Sequence, residues 1–450
     1  VKRSLWRWLI LLLVVLWGLS VLMWTLQRIG NLVGHHPVLG ESFVAFGRHW
    51  YRPWLALTWP QTLLSSPSVQ QLADQSMLLF MGPLFLVAMG YLAVNQTPKG
   101  RKDLHGTARW ATGREIRAMG YLSGRGVYIG GWFDCKTKTQ FYLRHNGPEH
   151  LLCFAPTRSG KGVGLILPTL LAWEQSSVVF DIKGENHALT AGHLKSQGNR
   201  VLRFEPADPT GVTACFNPLE EIRLEGDRAI ADVQQVANMV LDPDGKGLPD
   251  YWDKAACGFF GGVLLHCLIT TKLQNNRQAS LYDVSLMLED PNRQGGPRDL
   301  FEEIIATDHA AMLAEMFPEL DAEQGRAAHI FCASAASGML AKADKEMAGV
   351  VSTATANLAL YRDPVVARNI SRCDFRILDL MNHQAAVNLY LMVAPADIDR
   401  LRPLLRIFMT QLLGRLTEKM TFADGASQAA YHHRLLLMLD EFTALGKLPI

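Results

Sequence analysis

The chain has 450 residues, 49% of them hydrophobic and 19% charged, and a formal net charge of +2. That is apolar for a soluble protein and leaves ample material for a core, with one to three domains expected from length. The near-neutral balance excludes a globally basic nucleic-acid binder, so any DNA contact has to be local, in a groove or a ring lumen.

The chain opens with "LWRWLILLLVVLWGLSVLMW", residues 5–24, and returns to a similar run, "SMLLFMGPLFLVAMGYLAV", residues 76–94, interrupted only by Gly82-Pro83. Each run is long enough to cross a bilayer as a helix, about 20 residues being required. The first is too long for a cleaved signal peptide and no small-x-small site follows it. Lys2, Arg3 and Arg7 precede the first run and Lys99, Arg101 and Lys102 follow the second, whereas the longer loop 27–75 holds only Arg28, Arg48 and Arg52. The positive-inside rule therefore predicts a membrane anchor over 1–98, with both ends in the cytoplasm and the loop outside.

The next stretch, "KGRKDLHGTARWATGREIRAMG", reads either as a basic segment that touches lipid or nucleic acid, or as the flank of the anchor with a solvated face. From residue 150, strand and helix patterns alternate. Leu151–Phe154, "SVVFDI" at 177–182, "RVLRFEP" at 200–206, "AVNLYLMVAP" at 386–395 and "RLLLMLDEF" at 434–442 are predicted strands. Continuous apolar strands alternating with helices predict a parallel sheet covered on both faces, an α/β fold. Between 220 and 360 the apolar residues recur at three-to-four spacing instead, which predicts an all-α domain inserted between 99–219 and 361–450. The seven cysteines form no CxxC pair and are expected as buried, reduced thiols; His35-His36 and His432-His433 lack partners at ligand spacing, so no metal site is read from them.

The chemistry starts at "APTRSGKG", Ala155, Pro156, Thr157, Arg158, Ser159, Gly160, Lys161 and Gly162. A strand, a glycine-containing loop and then a helix is the context of a phosphate-binding P-loop: backbone N–H groups wrap the phosphates and Lys161 reaches the β- and γ-phosphates. Ala155 replaces the usual first Gly, a mild change. Gly162 replaces the Ser or Thr whose hydroxyl helps hold Mg2+, leaving Thr157, Ser159 or a water as substitutes. In "LLLMLDEF" four apolar residues precede an acidic pair, the pattern of a Walker B strand; Asp440 would hold Mg2+ and Glu441 would activate the attacking water. Glu441 beside Asp440 favours a hydrolysing motor over a kinase. Lys161 and Asp440 lie 279 positions apart, which by itself calls for a large insertion. In "FDIKGE", Asp181, Lys183 and Glu185 lie at a strand's carboxyl end and read as neighbours of the nucleotide, as residues at a subunit edge, or as a solvated turn.

Taken together, "LHGTARWAT", "APTRSGKGVGLILPTLL", "VVFDIKGEN", "FNPLEEIR", "DPDGKGLPDYWDKAA" and "LDEFTALGKLPI" resemble the conjugal-transfer TraG family, the coupling proteins of type IV secretion systems. Gly162 is shared by members of that family. The resemblance implies a membrane-anchored, RecA-like ATPase with an all-α domain, working as a homo-hexamer with ATP and Mg2+ in the bacterial inner membrane. It implies that the protein passes relaxase-bound single-stranded DNA and protein substrates to the inner-membrane components of the secretion channel. It also implies further core strands, a polar sensor and an arginine finger beyond Ile450, so a partial chain is expected, with Val1 reflecting a GTG start or a trimmed end. A double-stranded DNA translocase of the FtsK type would predict more N-terminal spans and a long linker. A non-hydrolysing scaffold would have no need of Lys161, Asp440 and Glu441 together. In the helical region, Arg326, Lys342 and Lys345 read either as contacts to the DNA backbone or as solvated helix faces.

Overall fold

The computed structural model describes residues 2–95, 109–156, 158–418, 421–423, 426–428 and 431–448. Lys99, Arg101, Lys102 and Thr157 lie outside the described residues. The chain divides into two compact units, 1–110 and 111–450.

In the first unit, helices Lys2–Leu32 and Pro67–Asn95 pack together, the second with Pro83 inside it. Gly18 makes the close approach possible, because a Cβ there would stand 2.9 Å from Cε2 of Phe80. Leu12–Leu32 and Pro67–Gly90 are both long and apolar enough to cross a membrane, with mean hydropathies of 1.7 and 1.6. The loop between them is a small folded cap. Strands β1 (Phe43–Ala45) and β2 (Arg48–Trp50) pair antiparallel, and Leu39, Tyr51 and Trp59 are buried with Leu26 and Ile29 of the first helix. The Trp59 indole N–H donates to the Leu39 carbonyl at 3.1 Å, satisfying the polar tip of a buried ring.

The second unit begins with the antiparallel strands β3 (Val127–Asp134) and β4 (Thr139–His145). Its centre is a sheet in the order β10-β5-β7-β6, formed by β5 (Ser176–Asp181), β6 (Arg200–Phe204), β7 (Val387–Met392) and β10 (Leu435–Leu439), all parallel. A separate short hairpin, β8 (Thr421–Ala423) and β9 (Ala426–Gln428), precedes β10. Period-2 alternation splits the sheet into two faces. Val179 and Tyr390 face the P-loop helix through Ile166 and Leu170, together with Leu194 of helix Glu185–Ser196. Val178, Phe180, Leu389 and Leu391 enter the main core, where Phe408 of helix Ile398–Thr417 packs edge-on to Phe216. Strand β5 is buried along its whole length, whereas β10, paired with β5 alone among the described residues, is half-buried throughout.

The expected strand Leu151–Phe154 is not formed. Residues 151–156 are irregular, with Leu152 74% and Phe154 90% exposed. A buried strand needs a ladder partner, and among the described residues β5 alone pairs with β10. Arg434 donates to Asn146 Oδ1 at 3.0 Å, and Lys161 meets Asp440 at the other end of β10. The segment between therefore bridges the two ends of β10 without joining the ladder. The cysteine expectation is also corrected: Cys135 and Cys153 are exposed, and Cys215, Cys267 and Cys332 are buried.

Between β6 and β7 the chain is helical. Helix Tyr251–Asn275 runs through the middle, packed by Ala229–Leu241, His309–Met316, Ala322–Leu340 and Asp344–Asn357. It is also long and apolar enough to span a bilayer, with a mean hydropathy of 1.5, but it is 78% buried within its unit. Gly261 and Gly262 face Phe331, Cys332 and Ala335, so small side chains let the two backbones approach. Three histidines from three helices form a row, with His266 and His309 fully buried and His329 partly so: His266 Nδ1 stands 2.8 Å from His309 Nε2, and His309 Nδ1 stands 3.2 Å from His329 Nδ1. Each contact needs one N–H and one bare nitrogen, so two touching rings cannot both be cations.

Burial holds His266 down to about 3 and His309 down to about 4. Protons then bind the unfolded chain before the folded one, so stability is lost as pH falls from the ordinary histidine range towards these values. Lowering the pH from about 7.5 to about 5.5 should cost about 1–3 kcal/mol for the pair, at about 1.4 kcal/mol per pKa unit. His309→Gln, which cannot titrate, should shrink that loss; denaturant melts of the wild type and variant at both pH values measure it.

Candidate nucleotide-binding site

The sheet's carboxyl edge is set by register. Leu439 pairs with Phe180, and Asp181 pairs with Met392, so Asp440 and Asp181 emerge side by side. The P-loop approaches this edge from residue 155. Ala155 and Pro156 are exposed and irregular. A turn closes with Ser159 N–H donating to Pro156 O at 3.2 Å, and Ser159 itself is exposed. Arg158 and Gly160 both have positive φ, +62° and +87°. Successive left-handed and right-handed residues turn backbone N–H groups into one concavity, the form of an anion nest.

The helix that follows starts as a π-turn, Gly162–Ile166, and continues as an α-helix, Leu167–Ala172. The cause is Pro168. It has no N–H for the carbonyl four residues back, and Leu167 N–H reaches instead to Gly162 O, five residues back. Strands β3 and β4 brace this helix: Tyr128 N–H donates to Thr169 Oγ1 at 3.0 Å, and Arg144 reaches Ala172 O at 3.2 Å.

Lys161 and Asp440 meet across the 279 positions between them. The ammonium lies 3.1 Å from Asp440 Oδ1, which has no other hydrogen-bond partner among the described residues, and donates to the Asp440 carbonyl at 3.3 Å. The hydrogen bond that the ammonium donates to Asp440, reinforced by the charges of Asp440 and Glu441, raises the lysine pKa against the opposing pull of burial. Glu441 is exposed just beyond, and among the described residues no hydrogen bond holds its carboxylate. Gly162 and Gly164 have nothing within 4 Å of where a Cβ would stand, so the loop is open on that side. An ammonium, an acidic pair at a strand end and an open glycine backbone are a donor set that suits a nucleoside triphosphate with Mg2+.

Asp181 ends β5 beside Asp440, and Glu185 opens the helix that follows. Asp181 is 2% exposed and accepts from His187 N–H at 2.8 Å, so its carboxylate is committed to the start of helix Glu185–Ser196. Burial raises its pKa against the pull of the backbone donors at His187, Asn186 and Gly184. Glu185 and Lys183 are exposed at that turn. In the helical region Lys342 is not free for a phosphate: its ammonium is held by Glu346 and by the Tyr251 hydroxyl, both at 2.6 Å. Arg326 and Lys345 are exposed. Sequence reasoning missed Arg402 and Arg406, which hold the turn after Glu441 and are described below. A partial signal was there, two arginines four apart within the largely apolar stretch Leu401–Met409.

A loop lysine that meets the acidic end of a parallel strand is the arrangement P-loop nucleotide-binding proteins use. Known sequences narrow the class. The chain belongs to the family described as type IV secretory system conjugative DNA transfer, whose sequence model matches residues 109–450. It is 42% identical over 443 residues to a conjugal transfer protein TraG of Escherichia coli, covering 94% of this chain and 66% of that protein. It is 32% identical over 349 residues to protein VirD4 of Agrobacterium fabrum, covering 76% of this chain and 47% of that one. This chain thus spans between about half and two-thirds of the length of these relatives. Among solved structures it is similar to the bacterial conjugative coupling protein TrwB lacking its N-terminal segment, at 18% identity and a TM-score of 0.39, over 65% of this chain and 55% of that one. A second form of TrwB, in complex with ADP and Mg2+, matches at 14% identity and a TM-score of 0.34, over 61% of this chain and 58% of that one.

The two loop glycines should respond differently. Gly160→Ala forces a left-handed conformation on a residue with a Cβ, at about 1–2 kcal/mol, and should weaken nucleotide binding about tenfold. Gly162→Ser meets open space and should bind within about threefold of wild type. Titration with a fluorescent nucleotide compares them.

Proposed function

We propose that this chain is the membrane-anchored motor part of a coupling protein that hydrolyses ATP to deliver DNA to a type IV secretion channel. The observation that carries this reading is the contact between Lys161 and Asp440 at the carboxyl edge of a parallel sheet. Family membership supplies the context of conjugative DNA transfer.

In this reading the loop N–H groups of Arg158 to Gly162 wrap the β- and γ-phosphates. Lys161 leaves Asp440 to reach them. The swap costs little, because both side chains are about a third exposed and an ion pair in that setting contributes on the order of 1 kcal/mol or less. Asp440, with Ser159 or Thr157, would hold Mg2+, which when bound supplies positive charge between the phosphates. Glu441 takes the proton of the attacking water; its carboxylate is exposed and uncommitted, as a base must be. Asp181 acts at one remove, holding the turn beside the site.

The rest of the assignment rests on sequence. Helices Lys2–Leu32 and Pro67–Asn95 would both cross the bacterial inner membrane, and the basic residues outside them would keep the second unit in the cytoplasm. The all-α region 220–360 would receive the relaxase and its single strand, and six copies would form the ring, as the resemblance to coupling proteins implies. Near-neutral net charge fits a lumen contact rather than a broad basic face.

Two variants of the full-length protein test the reading. Lys161→Ala should abolish ATP hydrolysis and plasmid transfer while the protein stays in the membrane fraction. Glu441→Gln should retain nucleotide yet turn it over at least about a hundredfold more slowly, since general-base catalysis contributes about that much. Transfer that survives Lys161→Ala in a complemented knockout would remove the motor from the proposal.

A further inference from the structure

The residue that carries Glu441 into the site is itself held from behind. After Glu441 the chain makes a turn, Phe442–Leu445, in which Ala444 N–H donates to Glu441 O at 3.0 Å and Leu445 is fully buried. Helix Ile398–Thr417 lies under this turn and presents two arginines four residues apart, on one face. Arg402 Nε donates to Ala444 O at 3.3 Å. Arg406 Nε donates to Lys447 O at 2.9 Å. The same Arg406 guanidinium uses Nη1 to reach a second segment, donating to Asp242 O at 2.8 Å and to Pro243 O.

Arg406 is 3% exposed, and among the described residues no carboxylate pairs with it directly. A buried cation met by carbonyl dipoles is expensive to leave unsatisfied, so the carbonyls of both segments are bound to move with it. Asp242 ends helix Ala229–Leu241, and the loop from there leads into helix Tyr251–Asn275. The loop is itself ordered: Asp242 accepts from the N–H groups of Gly245, Lys246 and Gly247 at 3.2, 2.9 and 2.8 Å. Gly245, at φ +69°, sits where a Cβ would collide with the guanidinium.

We propose that Arg402 and Arg406 are positioning residues that tie the turn carrying Glu441 to the Asp242–Gly247 loop, so that movement of that loop alters nucleotide turnover. The catalytic half of this inference rests on the hydrolytic reading above; the mechanical half does not. A load on the helical region reaches Asp242 first, passes through one rigid guanidinium, and arrives three residues from Ala444.

Hydrogen exchange and steady-state kinetics on the full-length protein separate the two halves. Arg402 is 30% exposed and touches the turn but not the loop, so Arg402→Ala is the informative variant. It should raise amide exchange about tenfold at 442–447 and also at 245–247, which it does not contact. It should lower kcat about fivefold with KM for ATP within about twofold, and Arg402→Lys should restore at least half of the loss. Gly245→Ala, pushing from the other side, should raise exchange at 442–447 and lower kcat in the same way. Exchange that changes only on the side of the substitution, in either variant, overturns the linkage. An unchanged kcat per folded molecule overturns the positioning role. If the wild type hydrolyses no nucleotide, the hydrolytic reading fails, while the exchange data still decide whether the linkage exists.

Discussion

Leu439 stands opposite Phe180 in a parallel ladder, and everything at the edge of the sheet depends on that register. A strand slipped by one residue turns each side chain to the opposite face. Such a slip would send Asp440 away from Lys161. What fixes the register is burial. Strand β5 is covered on both faces, with Val178 and Phe180 on one side and Val179 on the other, so no shifted alignment buries the same surface. Parallel strands also need long crossovers, and the chain spends its longest one on the helical region between β6 and β7. The geometry around Lys161 and Asp440 is therefore assembled from segments far apart in sequence, and it exists only once the helical region has folded back and delivered β7 and β10.

That dependence runs in both directions. The helix after β7 supplies Phe408 to the core beneath the sheet and, from Arg402 and Arg406 just before it, the two arginines that grip the chain beyond the acidic pair. The face that packs the sheet and the face that reaches the helical region belong to the same rigid rod. A helix in that position transmits displacement with little loss, because close-packed interiors have few voids to absorb it.

Much of this was legible in the sequence, and the failures have distinct physical origins. Strands β5, β7 and β10 announced themselves as apolar runs with sharp ends, to within a few residues. Leu151–Phe154 has the same composition and is not a strand, since composition records what a segment can bury and not whether a neighbour offers a ladder. Asp181 has the type and position of a ligand-binding carboxylate, and it also accepts from the His187 N–H at the start of the next helix, whose N-cap is Gly184. Lys342 looked like a free cation until its neighbours Tyr251 and Glu346 were placed, one of them 91 positions away. The histidine row and the carbonyl partners of Arg406 are contacts between elements distant in the chain, and no local pattern encodes them.

Helix Tyr251–Asn275 has a mean hydropathy of 1.5, close to the 1.7 and 1.6 of the two N-terminal segments, and the same length class. Composition does not distinguish the three. During synthesis, a machine that sorts segments by apolarity meets this one third, and the helix that covers its glycine face, Ala322–Leu340, has not yet been made. The segment must wait in water, shielded by Ala229–Leu241 alone of its larger packing partners, until later chain arrives. Its protection against misdirection lies in details that add a cost in lipid: Asp253 and Lys254 in its first turn, and His266 near its middle. The buried histidine row also marks this segment as one that belongs inside a protein.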